Sequence, residues 1–433
     1  MAKNITDMPS SLPGLMASGK NFHFSINTRL ELTENIDPEV FECAVERARV
    51  RYPYYYIRLV RGAEDQLQIE TNPAPLVVRG KPEPPLLLSA ESNGHMQAFS
   101  FTDNVLWHHI HHAFSDGRSI SRYLQTVLYL YFSEKYHRDF NSPGVHLPGE
   151  DILPEETIDP QLQFYPQLAE RLQNHSLVLN PPPAGFGWKS RFIVDKKPTF
   201  YCLKVPEDAF VRYSKDKDSS PATLPVVFML RSIYALHDTN LPVNASIMAD
   251  CRTGLGCEAF MGPCVSPVRI TYPPDLRKWG IQDIATVTRG SVILQTWPDN
   301  IRQKQLQDTT LTYLACQSSS KKETKEMLSG FFIPKEKDSS MTIGCSYPGA
   351  IQWGELNEFL SDMYAVLDPS ADSMTFALAV SAVNGHFSIT IIQNFSSDAY
   401  VRQFCEELEK EGIPHTCSEA QPVHIAKTAD IKL

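Results

Sequence analysis

Asn180-Pro181-Pro182-Pro183-Ala184-Gly185 stands close to the middle of the chain. Three consecutive prolines can continue neither a helix nor a central strand, because each fixes its φ and lacks an amide hydrogen. The run reads as a semi-rigid linker between two domains of similar size. At 433 residues the chain is too long for one ordinary domain and about right for two. The expected division is residues 1–185 and residues 186–433.

The first part reads as alternating strands and helices. Phe22, Phe24, Ile26 and Leu30 share one side of a period-two pattern, which predicts a strand over 21–32. Asp37-Pro38 is a helix start, with a capping carboxylate and a proline at the first helical position. Phe41, Ala44, Val45 and Ala48 follow at helical spacing, so 38–50 is a helix. Met96–Phe101 and Val105–Ile110 are strands around a Thr102-Asp103-Asn104 turn. Ile120, Tyr123, Leu124, Val127, Leu128 and Tyr131 mark a second amphipathic helix.

The second part has the same character. Val243–Met248, Ser266–Thr271, Thr342–Ser346, Met374–Val383 and Phe387–Gln393 are strand candidates. Pro225–His237, Ile281–Thr296 and Asp398–Glu411 are helix candidates. This order predicts an α/β sandwich in each part, with mixed sheets covered by helices.

Charge and cysteine usage exclude several classes. The net charge of −10 disfavours a nucleic-acid binder, which needs a basic face to displace counterions. No apolar run approaches the length of a membrane span. The first twenty residues lack the apolar core of a secretory signal, so the expected location is cytoplasmic. Nine scattered cysteines fit reduced thiols. Cys251, Cys257 and Cys264 are spaced too widely for a usual zinc pair, and read as small apolar fillers in strands.

The stretch that carries chemistry is Trp107-His108-His109-Ile110-His111-His112-Ala113-Phe114-Ser115-Asp116-Gly117. Four of the thirteen histidines fall within five positions, between a predicted strand and a predicted helix. Side chains at such junctions can face a cleft while a rigid element holds them. A four-histidine metal site is disfavoured. Alternation puts His109 and His111 on one strand face and His108 and His112 on the other. His108 and His109 read as packed or solvated residues.

His111-His112-x-x-x-Asp116-Gly117 is similar to the HHxxxDG motif of a superfamily. Its members include chloramphenicol acetyltransferases, peptide-synthetase condensation domains, alcohol acetyltransferases and polyketide-associated acyltransferases. Asn244 to Arg252 resembles the second-domain strand of that family, which ends in Asp-x-Arg. Gly262 stands where the family has Gly-Asn, with Pro263 replacing the Asn. Ser346-Tyr347-Pro348-Gly349 resembles a late Ser-Asn-x-Gly loop. Ile389–Phe395 and Asp398–Leu408 resemble the final strand and helix.

The resemblance implies an α/β fold with two chloramphenicol-acetyltransferase-like sandwich domains packed as a pseudo-dimer, and a tunnel between them. It implies acyl transfer, most simply of acetyl, from acyl-CoA to the hydroxyl or amine of a small acceptor. A neutral imidazole suits deprotonation of such a nucleophile near pH 7. By resemblance His112 is the general base; His111 itself reads as structural rather than catalytic. Asp116 makes a buried ion pair with Arg252 of the other domain. Gly117 allows tight backbone after the loop. Ser346 and the amides beside His112 are the candidate oxyanion donors. No permanently bound cofactor and no metal is implied; acyl-CoA is a co-substrate.

Two features bear on the branch. Plant members carry a late DFGWG motif, whereas Phe186-Gly187-Trp188 here sits in the linker, a coincidence that favours the microbial alcohol-acetyltransferase or condensation-like branch. No phosphopantetheine attachment segment is evident. A freestanding enzyme using acyl-CoA is therefore favoured over a condensation enzyme that takes its donor from an acyl carrier protein. A degenerate, non-catalytic binding module is the third reading. The run Ser318 to Lys325 could meet CoA phosphates, and reads more simply as a solvated loop. A monomer would suffice, since the pseudo-dimer supplies both sides of the site.

Overall fold

In the computed structural model, Asp37 caps the helix Pro38–Arg51, its side chain accepting from the amides of Glu39 and Val40. That helix buries Phe41, Ala44, Val45 and Ala48. It packs beside the helix Gly117–Tyr136, which inserts Ile120, Tyr123, Leu124, Val127 and Leu128 into the same core. The structure describes residues 3–19, 22–62, 67–174, 197–317, 341–369 and 374–431.

Beneath these two helices lies a five-stranded sheet. Its order is Leu360–Leu367, Ser25–Leu32, Val105–His111, Gln97–Thr102, Val78–Arg79. Ser25–Leu32 runs antiparallel to Val105–His111, with Ser25 opposite His111 and Asn27 opposite His109. The edge strand Leu360–Leu367 comes from the second part of the chain. It pairs antiparallel with Ser25–Leu32 from Leu32 to Ile26.

The second sheet is larger. Its order is Val265–Tyr272, Val243–Asp250, Met341–Ser346, Met374–Val383, His386–Gln393, Thr199–Pro206, Thr416–Cys417, and Gln421–Pro422 also pairs with Thr199–Pro206. Met341–Ser346 is parallel to both neighbours, so the sheet is mixed. The helices Leu224–Leu236, Ile281–Gln295 and Ala399–Lys410 cover one face around Val227, Phe228, Ile343, Ile389 and Phe404. The result is two α/β sandwiches, the fold class expected. No described helix is long and apolar enough to cross a membrane.

Several expectations need correction. The strand predicted over 21–32 begins only at Ser25, because Phe24 adopts φ 43°, in the left-handed region. The strands Thr199–Pro206 and Leu360–Leu367 and the helix Pro298–Gln317 were not anticipated. In Leu360–Leu367 the buried carboxylate of Asp362 interrupts the apolar pattern. Lys204, His386 and Ser388 satisfy it. The three cysteines are not strand fillers: Cys251 precedes the short helix Arg252–Leu255, Cys257 follows it, and Cys264 precedes a strand. A turn of helix and its exit loop occupy the segment between Cys251 and Cys264. The boundary near 185, Phe186-Gly187-Trp188 and Ser318 to Lys325 lie outside the described residues.

Candidate active site

Strand pairing ends at His111, and the chain turns there before the helix Gly117–Tyr136 begins. The four histidines therefore meet different surroundings. His109 bonds Asn27 Oδ1 through Nδ1 and Ser100 Oγ through Nε2. His108 Nε2 donates to Gln97 Oε1, and its ring packs on Phe99 and Tyr123. Burial lowers both to about 3, so both are neutral near pH 7.

His111 is also buried, and burial with the neighbouring His112 lowers it to about 3. Its Nδ1 accepts from the Ala113 amide, so Nε2 carries the proton and donates to Ser18 Oγ at 2.8 Å. Ser18 in turn donates to the Gly14 carbonyl. His111 thus ties the short helix Leu12–Ala17 to the end of the strand.

His112 lies one residue beyond the strand, so strand alternation does not place it. Its amide donates to the Phe24 carbonyl at 2.7 Å, and its ring stacks on Phe24 with centroids 5.0 Å apart. Nδ1 donates to the Ser115 carbonyl at 2.8 Å, so in the neutral tautomer Nε2 is the nitrogen without a proton. Among the described residues nothing is hydrogen-bonded to Nε2. The ring borders a cavity of about 360 Å³.

Phe24 was missed as a functional residue, because its place in a period-two pattern read as strand. Its left-handed backbone turns the ring onto His112. Gly14 is the other omission. A Cβ there would come within 2.2 Å of the Phe24 ring, so the ring needs glycine beneath it. The signal was Leu12-Pro13-Gly14 in a segment weighed only as a possible leader.

Asp116 has both oxygens engaged. Oδ1 caps the helix at the Ser119 amide, and Oδ2 accepts from the Cys264 amide and pairs with Arg252 Nη2, each at 2.9 Å. Arg252 is fully buried. It also donates to the carbonyls of Phe260 and Gly262, to Ser119 Oγ and to Asp250 Oδ1. Burial works against its charge, but Asp116 and Asp250 outweigh it and hold the guanidinium protonated. The pair joins a loop of the first sandwich to one of the second. Ser119, which touches Arg252, was not singled out in the sequence.

Gly117 does not serve a tight backbone, since its φ is not in the left-handed region. A Cβ on it would sit 3.2 Å from Pro348 Cβ. Glycine there lets the Ser346–Gly349 loop close against the helix start. Ser346 lines the same cavity as His112. The other expected oxyanion donors are already used: the amides of His112, Ala113 and Phe114 go to Phe24, His111 Nδ1 and the His111 carbonyl.

The cavity draws on both sandwiches, including Phe24, Ile120, Met248, Pro348, Met363 and Val380, and its wall is chiefly apolar. Such a site has the geometry to hold an apolar molecule against one imidazole. Among the described residues no group of three or more His, Cys, Asp or Glu could hold a metal ion.

No protein-family profile and no curated protein matches this chain. Solved structures do. The trichothecene 15-O-acetyltransferase TRI3 of Fusarium sporotrichioides superposes with a TM-score of 0.60 at 14% identity, over 94% of each chain. Polyketide synthase associated protein 5 of Mycobacterium tuberculosis gives 0.62 at 10% identity, over 94% of this chain and 98% of that one. The starter condensation domain of rhizomide synthetase gives 0.55 at 12% identity, over 89% of each. At these identities the likeness defines the fold, that of the chloramphenicol-acetyltransferase type.

Proposed function

We propose that this chain is an acyltransferase that moves an acyl group, most simply acetyl, from acyl-CoA to the hydroxyl or amine of a small acceptor, with His112 as general base. The observation that carries the reading is the state of His112. One nitrogen is fixed by a backbone carbonyl, the other has no hydrogen-bond partner among the described residues, and the ring borders an apolar cavity between two sandwiches. The solved trichothecene 15-O-acetyltransferase and starter condensation domain of the same fold support it.

In this reading His112 Nε2 takes the proton as the acceptor attacks the thioester carbon. The proton then passes to the departing thiolate. No acyl-enzyme is required, and most of the rate comes from holding two substrates in line. Ser346 is the candidate oxyanion donor, since the amides beside His112 are engaged. Asp116, Gly117, Arg252 and His111 act by fixing the loop. The protein needs no bound cofactor in this scheme, and its partners are acyl-CoA and the acceptor.

The test is incubation with acetyl-CoA and a panel of alcohols and amines, beside His112→Ala, with CoA and products read by mass spectrometry. Acceptor-dependent CoA release that vanishes in the variant is expected. A donor loaded on an acyl carrier protein working where every acyl-CoA fails would move the reading to a condensation enzyme. Inactivity with both donors would leave a binding module.

A further inference from the structure

Cys257 and Cys264 lie on either side of the loop that wraps Arg252, with their sulfurs 3.8 Å apart. Cys257 is partly exposed and Cys264 is buried. The backbone at both ends is already pinned. The Cys257 amide donates to the Arg252 carbonyl. The Cys264 amide donates to Asp116, and the Cys264 carbonyl accepts from Cys251. Between the two cysteines, Phe260 and Gly262 supply carbonyls to the guanidinium.

We propose that Cys257 and Cys264 are a thiol–disulfide modification site, oxidised by low-molecular-weight disulfides, whose closure locks the loop that holds Arg252 on Asp116. The gap must shrink from 3.8 Å to the ~2.05 Å of a disulfide bond. The contact between the two thiols lowers the pKa of Cys257 and raises that of Cys264, and Cys257 is the one that solution reaches. The exposed sulfur is thus the attacking one.

The chemistry balances with oxidised glutathione as oxidant. Cys257 thiolate attacks one glutathione sulfur, expels glutathione thiolate and forms a mixed disulfide. Cys264 then gives up its proton, attacks the Cys257 sulfur and expels the second glutathione. Two protein thiols are oxidised, and one disulfide is reduced to two thiols.

The experiment titrates the full chain with oxidised against reduced glutathione and maps the products by non-reducing peptide mass spectrometry. Expected is a loss of about 2 Da located to the Cys257–Cys264 link, formed while the other cysteines still alkylate. Closing this short loop constrains the unfolded chain, so the oxidised protein should melt a few degrees (~2–4 °C) above the reduced one. Cys264→Ser should trap glutathione on Cys257, and Cys257→Ser should abolish both the link and the melting shift. A glutathione adduct that persists on Cys257 in the unaltered protein would overturn the proposal. So would earlier oxidation of Cys405 with Cys417, whose thiols are also in hydrogen-bond contact, or a melting temperature that does not rise on closure. None of these readouts depends on acyl transfer, so they stand or fall separately from the proposed activity.

Discussion

His108 to His111 and His112 to Gly117 are consecutive in sequence and opposite in design. In the strand, imidazoles are consumed as packing and hydrogen-bonding pieces: His109 and His111 use both nitrogens, and burial lowers all three rings. One residue further on, His112 has one nitrogen held and the other without a partner among the described residues, and its ring borders the cavity. The residue type is the same. What differs is whether the sheet still claims the side chain. A histidine-rich stretch therefore says little about chemistry until the end of the strand is known.

The sharpest way to break this contrast is His112→Ala. Removing a positioned base should lower turnover by about 10²–10⁴-fold with thermal stability nearly unchanged, checked by CoA release and a melting curve. A comparable loss of stability would place His112 with the strand histidines. Next in size is Arg252→Ala, which leaves Asp116 buried without its cation. Urea unfolding should show a loss of about 3–5 kcal/mol, concentrated in the loop that the sheet does not hold.

The strand histidines should reveal themselves through pH. Their folded values lie near 3, below the ordinary 6.5 of an exposed imidazole. Between those values the unfolded chain binds protons that the native protein refuses. Their contribution is therefore complete above about pH 6.5 and is lost as pH falls toward 3. The unfolding free energy between pH 7 and pH 5, from urea titrations, should drop by about 1–4 kcal/mol per pH unit. A flat profile would mean that these rings titrate normally. The smallest effect is expected for Gly14→Ala, whose new methyl displaces the Phe24 ring from His112. Turnover should fall roughly tenfold through misplacement of the base, with little change in melting.

Sequence patterns served best where one local rule decides the outcome. Asp37-Pro38 sets a helix start by itself, and the helix begins at Pro38. Met374–Val383 is a strand with the predicted ends, because its apolar run is buried on both faces. The pairing of Asp116 with Arg252 came only from resemblance, and the geometry now gives its physical content: a carboxylate saturated by two amides and a guanidinium. Phe24 and Gly14 stayed hidden because their roles depend on a backbone turn and a missing methyl, neither of which has a periodic signature. Leu360–Leu367 stayed hidden because Asp362 finds its three partners on distant strands.

That edge strand has a consequence for how the protein is made. Ser25–Leu32 waits for Leu360–Leu367 to complete its pairing. On a ribosome, roughly 250 residues must be added after His111 before the strand emerges, on the order of ten to fifty seconds at ~5–20 residues per second. Throughout that interval one flank of the nascent first sheet is an open template for a neighbouring chain. The histidine motif is thus synthesised early, yet the sheet that carries it closes late. Slow stretches of translation between residues 111 and 360 would lengthen the exposure, and a chaperone that shields the flank would act during that window.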